Sequence, residues 1–294
     1  MKITITGGSG FLGSHVADRL SKRGHQVTIF DKKKSKWIRS DQKMCVGDIL
    51  NLKELEKAVK GRDIIYHFAG LSDLEQSLKE PINTIYLNIL GTSLVLELCR
   101  KHKIKRFIHA STIYVNSTEG GFYRSSKKSA EDYIDEYNKI YGINYTILRF
   151  GSLYGLRSDN KNGVKKILKK AIFNGVLSYS GSKKTVRKYI HVLDAAKACV
   201  YILKNKYKNK YITITGNKKI KIEEFLKNLS KILNISKKIK FENKKFTGHY
   251  TITPFTYKPK IGQRFKHSSN LDIYNEVPKL INEIKNEKNI KNTN

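Results

Sequence analysis

The chain has 294 residues, 39% of them hydrophobic, enough for one large α/β domain or two small ones around a sizeable core. Its formal charge of +33 rests on lysine, 47 against 11 arginines, beside 22 asparagines and spread along the chain. That pattern reads as compositional bias and solvated surface; base readers lean on arginine, so weak polyanion binding is expected and a specific nucleic-acid partner is not. Cys45, Cys99 and Cys199 stand in no paired spacing, and the eight histidines form no HExxH, so no disulfide scaffold or metal site is expected. With no apolar run near 18 residues and no signal peptide before the first strand, the expectation is a soluble cytoplasmic protein without membrane insertion.

In chain order, "KITITG" (2–7) reads as a strand and "FLGSHVADRLSKRG" as a helix, with apolar Phe11, Val16 and Leu20 at helical spacing and Gly24 near its end. "QVTIFD" (26–31) is the next strand, followed by a strand ending at "GDI" (47–49), a helix in "LKELEKAVKG" (52–61) and a buried strand in "DIIYHFAG" (63–70). "INTIYLNILGTSLVLELCRKH" (82–102) predicts one long helix, "RFIHAST" (106–112) a strand, "SSKKSAEDYIDEYNKIYG" (125–142) a helix and "NYTILRFG" (144–151) a strand. Strands alternating with helices of this length predict a parallel, doubly wound sheet. After residue 155 the pattern loosens into a smaller α/β region, with helices in "VKKILKKAIFNG" and "KIEEFLKNLSKIL" and a strand in "KYITITG". The expected division is 1–155 for the sheet domain, completed by part of 185–215, then 156–284, then a disordered polar tail at 285–294.

"TGGSGFLG" (6–13) joins the first strand to the first helix and holds Gly7, Gly8, Gly10 and Gly13. Glycines there let the backbone turn sharply and approach a pyrophosphate, which the free N–H groups of the helix N-terminus would bind. Asp31 closes the second strand, where a carboxylate accepts both hydroxyls of an adenosine ribose and repels a 2′-phosphate. NAD is therefore expected over NADP, although Lys32, Lys33 and Lys34 oppose that preference. Asp48, beside Ile49, is read either as a contact to the adenine amino group or as part of a helix N-cap.

Together with "HFAGLSDLEQSLKEP" (67–81), "NILGT" (88–92), "KRFIHAST" (105–112), "YRSSK" (123–127), "LRFGSLYG" (148–155) and "VRKYIHVLDAA" (186–196), these residues resemble the extended short-chain dehydrogenases/reductases. Within them the chain is similar to the NAD-dependent epimerase/dehydratase group that acts on nucleotide sugars, and to the 4-epimerases above all. The resemblance implies a Rossmann-type sheet, NAD held by Gly7, Gly10, Phe11, Leu12, Gly13, Asp31, Asp48, Ile49, Phe68, Ala69, Gly70 and Asn88, and a homodimer. It also implies Tyr123 as acid–base residue, Lys127 as its partner and Thr112 as the hydroxyl that shares the reacting oxygen. Arg187 would meet the substrate diphosphate and Ser152 the sugar.

Four residues on a helix put Tyr123 and Lys127 on one face. A free tyrosine, with a pKa of roughly 10, is too weak a base near neutrality, and a nearby ammonium is expected to favour its phenolate. The function implied is oxidation and re-reduction of a sugar at C4, with a net 4-keto-sugar reductase and a non-catalytic NAD-binding protein as alternatives. The dehydratases of this family carry Asp-Glu directly after the threonine; here Ile113 and Tyr114 follow, so no 4,6-dehydration is expected. Thr112 and Tyr123 are separated by a short loop, and Asn116-Ser117 departs from the family pattern.

Overall fold

Strands form where β-branched residues run together, and helices where apolar residues recur every three or four positions. The computed structural model describes residues 1–234, 239–242 and 249–254. Its first half contains β1 (Lys2–Thr6), α1 (Phe11–Ser21), β2 (Gln26–Asp31), β3 (Gln42–Val46), α2 (Leu52–Val59), β4 (Ile64–His67), α3 (Leu74–Lys79), α4 (Pro81–Ile85), α5 (Gly91–Lys101), β5 (Arg106–Thr112), α6 (Gly121–Tyr141) and β6 (Tyr145–Phe150). The second half adds β7 (Ser152–Tyr154), α7 (Gly163–Asn174), β8 (Ser178–Ser180), β9 (Val186–Arg187), β10 (Tyr189–His191), α8 (Val192–Tyr201), β11 (Lys210–Ile214), β12 (Ile220–Lys221), α9 (Ile222–Ile232) and β13 (Lys240–Glu242). The tail expected at 285–294 lies outside the described residues.

Seven strands pair in the order β3-β2-β1-β4-β5-β6-β11, every neighbour parallel. Parallel strands covered on both faces need apolar residues on both sides, which explains unbroken runs such as Ile64–Tyr66. On one face Ile3, Ile5, Tyr66 and Leu148 pack with Val16 and Leu20 of α1 and Ala195, Ala196 and Cys199 of α8. On the other, Phe30, Ile65, Phe107 and Ile147 meet Leu55 of α2, Val95 and Leu96 of α5 and Ile134 of α6. α8 and β11 thus join the core built by the first 150 residues. Three short sheets, β7–β10, β9–β12 and β8–β13, border it, and Ile167, Leu177, Ile222 and Leu226 form a small separate core between α7 and α9.

The helix expected at 82–102 is interrupted. Between α4 and α5, Tyr86–Leu90 form one π-helical turn. A π turn admits an extra residue without breaking the helix, and here it carries Asn88 into the core. The composite Pro81–Lys101 is long and apolar enough to cross a membrane, contrary to the expectation that no such run exists. Its Thr84, Asn88, Thr92, Val95 and Cys99 are nevertheless buried inside the protein.

The strand order reverses between β1 and β4, which run on either side of the switch point with Thr6 beside His67. β5 and β6 end in register, Thr112 beside Phe150. The residues following β1, β4, β5 and β6 therefore collect at one edge of the sheet, where ligands of doubly wound folds bind.

Candidate active site

The turn after β1 is shaped by two glycines. Gly7 has φ +71°, and a Cβ there would come within 2.5 Å of the Ala69 nitrogen; on Gly13 it would meet the Gly7 carbonyl oxygen at 2.3 Å. Any side chain would separate β1, α1 and the strand-end loop at Ala69. Gly10 caps α1 in extended backbone without a side-chain hydrogen bond, so the helix presents its N-terminal dipole to the adjoining cavity with no side chain in the way. This is a cradle fit for a dinucleotide pyrophosphate.

That cavity, about 1100 Å³, is lined by Gly7, Gly10, Phe11, Leu12, Gly13, Asp31, Ile49, Phe68, Ala69 and Gly70 at one end and by Thr112, Tyr123, Lys127, Ser152 and Arg187 at the other. One space thus gathers nearly all the residues singled out in the sequence. Asp48 and Asn88 lie off its wall. Asp48 forms a turn, accepting from the Leu50 amide, and pairs with Lys32 at 2.9 Å. Partial burial would raise its carboxyl, but those two partners together hold it below the usual range. The cap of α2 is Asn51. Asn88 accepts from the Leu71 amide at 2.7 Å and donates to the Leu71 carbonyl and Ser126, clamping the Gly70–Leu71 loop from behind. Asp31 accepts from the Ser9 and Lys33 amides, both at 3.1 Å, which fixes its carboxylate beside the glycine turn.

Tyr123 lies in the first turn of α6, which begins four residues earlier than its apolar pattern suggested. The short loop before it is taken up by a 3-10 turn at Ile113–Asn116 and by two left-handed glycines, Gly120 and Gly121, with φ +103° and +51°. Loss of hydration pushes the Tyr123 phenol up to about 12, and the neighbouring Thr112 hydroxyl only partly opposes the rise. Lys127, one helical turn on, is buried, donates to the Ala110 carbonyl at 2.9 Å, and is pushed down to about 8 by desolvation. Burial thus dominates Tyr123, and the expected phenolate-favouring influence of Lys127 is not among the causes that act on its phenol.

The Arg187 end of the cavity holds residues that sequence reasoning missed. Arg187 donates to the Val186 and Tyr250 carbonyls and to the Tyr179 hydroxyl, and lies 4.2 Å from the centre of the Tyr250 ring. These bonds use three of the five guanidinium N–H groups. Tyr250 also approaches Ser152, hydroxyl to hydroxyl, at 3.4 Å. Tyr114 packs its ring 6.3 Å from that of Tyr123 and bonds His249. Burial pushes His249 down to about 4, with Arg187 adding to it, and burial raises Tyr114 well above its ordinary value. Nothing local in the sequence marks 249–250 as cavity residues, since they reach the site only through the tertiary fold.

Comparison with known proteins agrees with this architecture. The sequence model of the NAD dependent epimerase/dehydratase family matches residues 3–214. A provisionally named UDP-glucose 4-epimerase of Methanocaldococcus jannaschii is 30% identical over 244 residues, covering 76% of this chain and 79% of its own. A dTDP-D-glucose 4,6-dehydratase of Dictyostelium discoideum is 28% identical, over 69% of this chain and 55% of its own. The crystal structure of the Bacillus cereus UDP-glucuronic acid 4-epimerase, in complex with UDP-glucuronic acid and NAD, superposes with a TM-score of 0.80 at 25% identity, covering 89% of this chain and 95% of that one. Dehydratases and epimerases both stand among the relatives, so likeness alone does not exclude dehydration. With its doubly wound sheet, glycine-built dinucleotide cradle and match over residues 3–214, the chain belongs to the NAD-dependent epimerase/dehydratase family.

Proposed function

We propose that this protein is a nucleotide-sugar 4-epimerase, with Thr112, Tyr123 and Lys127 at the reacting carbon and Arg187 at the substrate diphosphate. The observation that carries the reading is that Thr112, Tyr123 and Lys127 line the same cavity as the glycine turn and Arg187. NAD would be held by the Gly7–Gly13 turn and Asp31, and when bound it supplies the two-electron acceptor for the sugar hydroxyl. Tyr123 then receives the hydroxyl proton while Thr112 holds the same oxygen, and Lys127 contributes the buried positive charge that favours the phenolate in the loaded site. The cavity, about 1100 Å³, lies just above the roughly 300–1,000 Å³ of pockets that hold one drug-sized ligand, and its lining runs from the glycine turn to Arg187.

The reading includes no 4,6-dehydration. Ile113 carries no transferable proton, and the Tyr114 phenol, raised by burial, is bonded to His249. It also includes a homodimer, supported by the exposed apolar side chains Ile82, Ile85, Tyr86 and Leu90 together with Phe122 and Tyr133 of α6; a dimer-sized sedimentation boundary is expected and a monomer boundary would contradict it. The test of the function is incubation with UDP-hexoses and UDP-hexuronic acids plus NAD. Interconversion of C4 epimers at constant mass is expected. Stoichiometric reduction of NAD would favour a net oxidoreductase instead.

A further inference from the structure

Glu131 lies on α6 one turn beyond Lys127 and two beyond Tyr123, so all three side chains share a face of the helix. It is fully buried. Its Oε1 accepts from the Ser111 hydroxyl at 2.5 Å and from Arg149 Nε at 3.0 Å, and its Oε2 from Arg149 Nη2 at 2.6 Å. Arg149, on β6, reaches on to Asn116 Oδ1 at 3.2 Å and lies over the Tyr211 ring at 4.5 Å. Lys127 and Glu131 are therefore both tied to the end of β5, to Ala110 and Ser111, the two residues before Thr112. Through Arg149 the same network holds Asn116, at the far end of the 3-10 turn that follows Thr112.

We propose that Glu131 is a positioning residue for the Tyr123–Lys127 pair: it fixes the strand that carries Thr112 and supplies the buried negative charge that keeps Lys127 an ammonium.

A buried lysine sheds its proton unless an anion is near. The groups that face Lys127 from the neighbouring strands do not supply one. His67 on β4 is bonded to Thr6 and Thr92, and His109 on β5 stacks on His67 with ring centres 5.5 Å apart. Burial keeps both imidazoles neutral, His67 down to about 3, and the Lys127 charge pushes each further down. Tyr123, on α6 itself, is protonated, and Arg149 is a cation spent on Glu131. Desolvation of Lys127 is opposed by the Glu131 carboxylate. Buried carboxylates are costly unless paired, and Arg149 is that pair.

The proposal rests on the catalytic reading of Tyr123 and Lys127, and its test does not depend on knowing the substrate. Carbon-13 NMR at the lysine Cε, with the Lys127 signal assigned by its loss in Lys127→Met, follows the titration in the wild type, Glu131→Gln and Glu131→Asp. The Lys127 midpoint is expected to fall by roughly one pH unit or more in Glu131→Gln and to stay near the wild-type value in Glu131→Asp, which keeps the charge. A variant that had only lost packing would not move the midpoint. An unmoved midpoint in folded Glu131→Gln, or an equal shift in both variants, overturns the proposal. Failure of epimerisation alongside the expected titration would count against the proposed function and leave Glu131's role standing.

Discussion

Tyr114 Oη lies 2.7 Å from His249 Nδ1, although 135 residues separate the two in the chain. The contact fastens the 249–254 segment to the loop that follows Thr112, and the same segment reaches Arg187 through the Tyr250 carbonyl. Both groups are neutral near pH 7, His249 because burial holds it down to about 4. The pair lines the Arg187 end of the cavity and is a poor base for carbon. Tyr114→Phe is therefore expected to raise KM about two- to tenfold, the worth of one net hydrogen bond, with kcat within a few-fold. Steady-state kinetics decide it: a hundredfold loss in kcat would make Tyr114 a proton-transfer group.

Tyr123→Phe keeps the ring and removes the hydroxyl that shares the cavity wall with Thr112. NAD affinity, measured by fluorescence titration, should stay within a few-fold of wild type while kcat falls by about 10²–10⁴. Near-normal turnover in the variant would remove Tyr123 from the chemistry.

The cofactor preference rests on Asp31, whose carboxylate is oriented by the Ser9 and Lys33 amides. Of the three lysines that follow, Lys32 is drawn away to Asp48. NAD is expected to bind more tightly than NADP, and Asp31→Ala to narrow the gap. Asp48→Asn, which releases Lys32, should narrow it further through better NADP binding. Parallel titrations of both cofactors check this; a wild-type preference for NADP would contradict it.

How much of this could be read from the chain depends on the range of the interaction. The glycine turn, Asp31 and the strands around it are local patterns, and they stand where the sequence placed them. The helix over 82–102 could not be read correctly, because one extra residue in a π turn leaves the apolar repeat intact on both sides. The start of α6 was hidden because Gly120 and Gly121 read as loop, while their left-handed backbone leads straight into the helix. Asp48 and Asn88 carry the residue types of ligand contacts, yet their hydrogen bonds go to Leu50 and Leu71. Tyr114, His249, Tyr250 and Glu131 acquire their partners only when distant segments meet, and no spacing in the sequence announces them.

The buried imidazoles predict a pH-dependent stability. Unfolded histidines take up a proton below roughly pH 6.5, while folded His67 does so only near 3 and His109 is also held well down. The unfolded chain then binds more protons, so stability falls as pH drops from about 6.5 toward 3, by up to ~1.4 kcal/mol per pH unit for each histidine. Neither ring nitrogen of His109 meets a protein hydrogen-bond partner among the described residues. His109→Leu is therefore expected to flatten the slope by one histidine's share and to cost little at neutral pH. Urea midpoints measured from about pH 7 to about pH 5 test it; a slope unchanged by the substitution would mean that His109 does not remain neutral in the fold.

The central claim is reversible change at a sugar C4 with the cofactor retained. It is tested most directly by supplying each UDP-hexose and UDP-hexuronic acid to the NAD-loaded protein and following, in one reaction, sugar configuration by NMR, mass by spectrometry and reduced nicotinamide by absorbance. The account predicts that at least one pair of C4 epimers interconverts to equilibrium with no change in mass and no accumulation of reduced cofactor, and that Tyr123→Phe abolishes the interconversion. Loss of one water from the sugar nucleotide, or conversion only with stoichiometric turnover of NAD, would contradict it.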